Sequence, residues 1–370
     1  MILKRNSALF LAFFSAVSFA KVSAQDAFPV LPKASNTVVY VSRILEGNVV
    51  AIDTTSNTLI TIIKTGNTPA GIVEISALDR AYISDIFDGT ITVINTTNHG
   101  IETALDVGHP IATIDANQIT QTVFALDFSN GTPGTHLHVM DANTNVETAD
   151  FAIGSRLQNI EVNSTANQIY ATDFVEGVIV VDTATNTRVT TIPLGGLPHG
   201  VALNYATNYL YVTQVENDTT TIIDTMTFAV VDTLNVGDFP QWIELDIPRK
   251  KGFVTNEGDG TVSVIDLATD TVKRDTIPVG PSPLTLTVDE AEAKAYVYNA
   301  GDGSISVLDT ISETVIATID IVFWDGFESG DTTAWSNTAP YEPARKSHRV
   351  SSRGRRGARC DASSPAVDNR

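Results

Sequence analysis

The chain has 370 residues, 43% of them apolar, with one cysteine and a formal net charge of −20. A single cysteine excludes an intrachain disulfide. The acidic balance repels phosphate backbones and so argues against nucleic acid as a partner.

Met1-Ile2-Leu3-Lys4-Arg5 opens the chain, an apolar stretch runs from Ala8 to Ala20, and Val22-Ser23-Ala24 supplies a small-x-small site before Gln25. Residues 1–24 therefore read as a secretory signal peptide and place the protein outside the cytoplasm, periplasmic or secreted. An uncleaved anchor is the alternative, but the stretch is shorter than the ~20 apolar residues a spanning helix needs. No other segment reaches that length, so no membrane span is expected once the signal is removed. The first 24 residues hold three basic and no acidic residues, and residues 339–370 hold eight basic and three acidic. Residues 25–338 thus retain 12 basic and 40 acidic residues, a net of −28.

From residue 40 onward one phrase recurs. An aromatic-led apolar run is followed by a polar turn, then by a second apolar run closed by Asp or Asn. The aromatics are Tyr40, Tyr82, Phe124, Tyr170, Tyr211, Phe253 and Tyr296, with steps of 42, 42, 46, 41, 42 and 43 residues. The closing residues are Asp53, Asn95, Asp141, Asp182, Asp224, Asp266 and Asp309, and they place the long step in the same repeat. A period near ~42 built from short apolar runs predicts an all-β, seven-bladed β-propeller with four antiparallel strands per blade. In the fifth repeat the strands are expected around Val201–Leu203, Tyr209–Thr213, Thr220–Asp224 and Ala229–Val236. Their Val, Ile, Thr and Tyr content suits a pleated, half-buried surface. Asp88-Gly89, Glu176-Gly177, Asp259-Gly260 and Asp302-Gly303 read as tight hairpins, because Gly accepts positive φ. Pentads such as Asp53-Thr54-Thr55-Ser56-Asn57 read as turns in which the acid bonds its own backbone.

The register places Phe28–Leu31 on the inner strand of blade one. Pairing of Val322 to Phe327 into that blade is the alternative closure. The hairpin of blade three, Asp127 to Leu137, is longer than its siblings through Ser129-Asn130-Gly131-Thr132-Pro133-Gly134, and it carries His136 and His138. Such a loop on a rigid scaffold is a place for binding or simply a tolerated insertion.

The motifs Tyr211-Val212-Thr213-Gln214, Phe253-Val254-Thr255-Asn256, Val262-Ser263-Val264-Ile265-Asp266 and Pro198-His199-Gly200-Val201-Ala202 resemble the YVTN β-propeller repeat family over roughly residues 27 to 320. That resemblance implies the propeller fold and is poor for function. Similar propellers occur in bacterial extracytoplasmic proteins and archaeal surface layers, and related ones serve redox enzymes and lactonases. The propeller is accordingly assigned to residues 25–322. Residues 323–338 form an aromatic segment that leaves the repeat pattern, and residues 339–370 form a basic tail read as disordered.

Two sets of residues are candidates for a site. The segments leading into the inner strands offer His109, Arg156, Gln158, His199, Gln241 and Trp242, expected to ring the mouth of the central channel. His109 and His199 fall in blades two and five. The strand-end positions three residues after each aromatic read Arg43, Asp85, Asp127, Asp173, Gln214, Asn256 and Asn299. The family pattern has Asn here, so Asp85, Asp127 and Asp173 either cap their hairpins or make an acidic arc. Neighbouring blades hold equivalent positions ~10 Å or more apart, given strand spacings near ~5 Å, so one ion cannot touch all three. No metal is named by the sequence and no cofactor is expected. Cys-x-x-Cys-His, His-Glu-x-x-His and Gly-x-Ser-x-Gly are all absent. Two functions compete. One is a monomeric, non-catalytic binding or scaffold propeller that offers an acidic face to a protein, a cell-envelope component or a cationic ligand. The other is a lactonase- or lyase-like enzyme with His109 or His199 as general base.

Overall fold

The computed structural model describes residues 19–20, 37–44, 47–127 and 135–320. The aromatic segment, the basic tail, the insertion at 128–134, Phe28–Leu31 and Val322 to Phe327 lie outside them.

Seven four-stranded antiparallel sheets follow one another along the chain. Blade five shows how sequence becomes sheet. Its strands are Pro198–Asn204, Tyr209–Gln214, Thr219–Asp224 and Ala229–Asn235. Tyr211 stands opposite Ala202 on one side and Ile222 on the other. Because side chains alternate across a strand, Tyr211 faces blade six, among Leu245, Val254 and Ile265. Its neighbours Leu210 and Val212 face blade four, among Tyr170, Val178 and Val180.

The same alternation holds around the ring. Each apolar cluster fills one cleft between adjacent blades, and the cluster of Val39, Val41, Val50, Tyr296, Tyr298 and Ile305 joins blade seven to blade one. A blade alone buries neither of its faces, so the blades are stable only as neighbours. Lys294 Nζ donates to the Thr54 carbonyl and Tyr296 Oη donates to Asn57 Oδ1 at 3.0 Å, which closes the circle.

Two kinds of turn carry the fold, as expected. The hairpin glycines Gly89, Gly177, Gly260 and Gly303 all have positive φ. The closing acids accept backbone N–H groups two and three residues on, as Asp224 does from Met226 and Thr227 at 2.7 and 3.1 Å. The fifth residue of each such turn is left-handed: Asn57, His99, Asn145, Asn186, Phe228, Asp270 and Glu313.

The repeat aromatic bolts this turn from the preceding blade. Tyr82 Oη donates to Asn145 Oδ1 at 2.9 Å, and Tyr211 Oη to Asp270 Oδ1 at 2.5 Å. Where the turn offers Phe228, the Tyr170 hydroxyl donates to Gln168 of its own blade instead. Phe253 has no hydroxyl, and Lys251 Nζ takes over by donating to Ile311 O at 3.1 Å and pairing with Glu313 at 2.8 Å.

Blade one differs from expectation. Phe19–Ala20 pairs with its second strand, Phe19 opposite Val41 and Ala20 opposite Tyr40. The sequence register places Phe28–Leu31 in this slot. The slot asks for a short extended backbone beside Tyr40 and Val41, and the backbone of Phe19–Ala20 lies there. Among the described residues no helix is long and apolar enough to cross a membrane.

Candidate functional site

The segments leading into the inner strands and the hairpins between second and third strands meet on one face of the ring. Asn67 Nδ2 donates to Asp88 Oδ1 at 2.8 Å, and the Asp238 N–H donates to Asp259 Oδ2 at 2.7 Å.

The strand-end aspartates hold this face together from inside. Asp173 is fully buried. Its carboxylate accepts the N–H groups of Ser155 and Arg156 from the lead-in segment and of Val175 and Glu176 from its hairpin, at 2.7 to 3.0 Å. Asp85 does the same with Thr68, Phe87 and Asp88. Asp127 accepts the His136 N–H at 2.6 Å, and burial pushes its carboxyl above the usual range. Asp85 and Asp127 are 2% and 7% exposed. The three aspartates are therefore caps turned inward, and they form no exposed arc. A carboxylate at a strand end can satisfy several backbone donors at once, which Asn cannot do with its amide half. The exposed acids lie farther along, at the hairpin tips: Glu216, Asp259 and Asp302, with Asp88 beside the exposed Phe87 and half-buried Glu176 beside the exposed Val175.

The lead-in residues divide into three groups. Arg156 is exposed, and its guanidinium lies over the Phe174 ring at 5.4 Å. Gln158 folds back to donate to the carbonyls of Arg156 and Leu157 at 3.1 and 2.9 Å. Trp242 is a core residue in the cleft between blades six and seven, packed with Phe253, Val264 and Leu286. His199 and Gln241 are 2% and 5% exposed. The inner strand of blade five breaks register between Pro198 and Val201. Such a bulge redirects the residues within it, and His199 lies inside the break, buried rather than at the mouth. Its Nδ1 donates to the Gln241 carbonyl at 2.8 Å, and burial lowers the imidazole to about 4, so the ring is neutral at ordinary pH.

These contacts form a chain across blades four to six. Arg156 covers Phe174, whose ring centre is 6.1 Å from that of His199. His199 reaches the Gln241 carbonyl, and the Gln241 amide donates to Glu257 Oε2 at 2.7 Å. Burial raises the Glu257 carboxyl to about 7, against the lowering effect of the Gln241 donor. Glu257 escaped the sequence reading, although a signal for it exists. The same position elsewhere is apolar: Ile44, Ile86, Phe174, Val215 and Ala300.

His109 is exposed on the connection between blades two and three, and it leads into the inner strand Ile111–Asn117 of blade three. Its ring neighbour is His138. His199 has Phe174 and Gln241 as neighbours, so the structure does not bring the two sequence candidates together. Among the described residues no group of three or more His, Cys, Asp or Glu side chains could hold a metal ion.

Fold and face together define a closed seven-bladed β-propeller with inward-capped hairpins and acidic tips. No family model matches the sequence, and no curated protein matches it either. Solved structures share the fold. A functionally unknown protein from Desulfotomaculum acetoxidans DSM 771 is 14% identical with a TM-score of 0.68, covering 77% of this chain and 96% of that one. Hydrazine synthase from Kuenenia stuttgartiensis is 13% identical with a TM-score of 0.66, over 74% and 92%. A chain of the mitotic checkpoint complex is 14% identical with a TM-score of 0.66, over 80% and 86%. At these identities the likeness is one of fold, and a propeller serves many functions.

Proposed function

We propose that this chain is an exported, monomeric, non-catalytic binding propeller of the YVTN type, and that its hairpin face receives a basic group of a protein or cell-envelope component. The carrying observation is the set of acidic tips: Asp88, Glu176, Glu216, Asp259 and Asp302 stand on blades two, four, five, six and seven of one face. The exposed Phe87 and Val175 beside two of them add apolar contact. Charge at a rim steers and selects a partner, while the apolar contacts hold it. The net charge of −28 over residues 25–338 extends the same attraction over the whole ring.

Burial of His199 removes the base that a lactonase- or lyase-like enzyme would use in blade five. His109 and Glu257 remain for such chemistry, and the hydrogen-bond partner of Glu257 is the Gln241 amide. The test is retention on envelope material and on immobilised oligolysine, comparing wild type with an Asp88→Asn, Glu216→Gln, Asp259→Asn, Asp302→Asn variant. The expected result is salt-sensitive retention that falls about tenfold or more in the variant, since each lost rim contact is worth several tenths of a kcal/mol. Equal retention of both proteins sinks the reading.

A further inference from the structure

The register break on each inner strand holds a position that changes character around the ring. It reads Ala70, Ala112 and Leu284 in blades two, three and seven, but Gln158, His199 and Gln241 in blades four, five and six. The residue after the second strand departs in the same sector. Glu257 of blade six stands where Ile44, Ile86, Phe174, Val215 and Ala300 stand elsewhere. Arg156 leads into this sector, and its backbone is pinned on both sides. Its N–H donates to buried Asp173 at 2.7 Å, and its carbonyl accepts the Phe174 N–H at 3.1 Å. The guanidinium lies over the Phe174 ring and has no hydrogen bond or carboxylate partner among the described residues, whereas Arg80, Arg188 and Arg249 each pair with an acid. From Arg156 a row of contacts runs through Phe174, His199 and Gln241 to Glu257. The Thr172 and Thr213 hydroxyls donate to the carbonyls of His199 and Gln241 at 2.7 and 3.1 Å, which holds the middle of the row in place. Glu257 is half-buried, and its Oε1 makes no hydrogen bond among the described residues.

We propose that this row seats a short peptide, with the peptide's C-terminal carboxylate on Arg156 and its N-terminal ammonium on Glu257. A guanidinium with its donors unspent matches a carboxylate in a two-bond fork, and capture of a free chain end is a recurring mode of peptide recognition. The row crosses from blade four to blade six. Equivalent positions on neighbouring blades stand ~10 Å apart, so the two ends lie roughly 10–20 Å apart, which three to five extended residues span at ~3.3 Å each. Burial raises the Glu257 carboxyl to about 7, and an ammonium beside it draws it back to the ionised form. The seat does not depend on the acidic hairpin tips. The plainer reading makes Arg156 a cover for Phe174 and Glu257 a partner for Gln241. It leaves without a cause an arginine that pairs with none of the 40 acids of residues 25–338, and a carboxyl at a position that is otherwise apolar.

The full chain is titrated calorimetrically with tetra-alanine, tetra-alanine amide and N-acetyl-tetra-alanine, beside Arg156→Gln, Glu257→Gln and a Lys250→Gln control. Lys250 is exposed on a turn between first and second strands, at the other end of the blade from the hairpins. Wild type is expected to bind tetra-alanine with a submillimolar Kd, and blocking either end of the peptide weakens binding about tenfold or more. Arg156→Gln removes the difference between acid and amide, Glu257→Gln removes the difference between free and acetylated peptide, and Lys250→Gln changes neither. Both mouth variants keep side chains of similar size, so each is expected to fold. Absence of tetra-alanine binding by wild type at millimolar concentrations overturns the proposal. So does equal binding of the three peptides, discrimination at one end only, or discrimination that survives in Arg156→Gln.

Discussion

Replacing Phe124 with Tyr is expected to stabilise the ring. Phe124 is the repeat aromatic of blade three, 1% exposed, and it packs against Ile160, Ile169 and Ala171 of blade four. The left-handed residue at the equivalent turn position of blade four is Asn186, whose Oδ1 is buried without a hydrogen-bond partner among the described residues. In the equivalent clefts Tyr82 and Tyr296 donate to Asn145 and Asn57 at 2.9 and 3.0 Å. A new hydrogen bond contributes ~0.5–1.5 kcal/mol net, and removing an unsatisfied buried acceptor pushes the gain toward the upper end of that range. A gain of ~1 kcal/mol corresponds to a Tm rise of about 2 °C or less in a domain this large. Urea unfolding monitored by two probes gives the change through the midpoint at constant m. The reverse substitution, Tyr82→Phe, should cost ~1–2 kcal/mol by recreating the same orphan acceptor at Asn145. If Phe124→Tyr is neutral or destabilising while Tyr82→Phe is costly, the Asn186 acceptor is not what the cleft lacks, and the bolt argument fails for blade three.

Glu257→Gln is expected to flatten the pH dependence of stability between about 4.5 and 7. The folded carboxyl sits at about 7, above its free value of 4.5, so folded protein binds more protons there and wild type loses stability as pH rises through that window. Midpoints measured at several pH values check this, and parallel curves for both proteins refute it. His199→Asn should flatten the opposite slope. The buried imidazole is depressed from 6.5 to about 4, so its contribution is present above 6.5 and lost as pH falls toward 4. Gly177→Ala should destabilise by ~3 kcal/mol or more, because φ is +107° and a Cβ would stand 2.2 Å from the Ile192 carbonyl oxygen. Gly108→Ala, with φ +74° and open space around it, should cost only ~1–2 kcal/mol; equal losses at the two sites contradict the steric account. Exported protein should begin at Gln25 by intact mass, with Phe28–Leu31 replacing Phe19–Ala20 beside Tyr40. A mature chain that keeps residues 19–20 excludes that exchange.

The fold was legible because two independent landmarks kept the same period. In blade five the expected second strand, Tyr209–Thr213, falls one residue short of the observed Tyr209–Gln214. Hairpin glycines and closing acids carry their own local chemistry, so they read true from sequence alone. The face was less legible. Spacing places Asp173 at a strand end, but it does not reveal that four backbone donors from two segments turn toward its carboxylate. His199 lies inside a register break, and a one-residue shift sends a side chain to the opposite side of a strand. Trp242 packs into the cleft between blades six and seven, where side-chain direction and not chain position decides exposure. Glu257 meets Gln241, and His109 meets His138, across 16 and 29 residues of chain, and such side-chain meetings are not displayed by spacing alone.

Each sheet from blade two to blade seven draws all four strands from one unbroken stretch of chain. No strand is lent across a boundary in these six, so copying or excising one stretch of ~42 residues leaves no orphaned edge behind. Ancestry by unequal exchange of whole units follows naturally from such an arrangement, with the number of units set by how many wedges complete a turn. The polar face can then diversify one tip at a time, since a change in one hairpin leaves the bolts of the other clefts untouched.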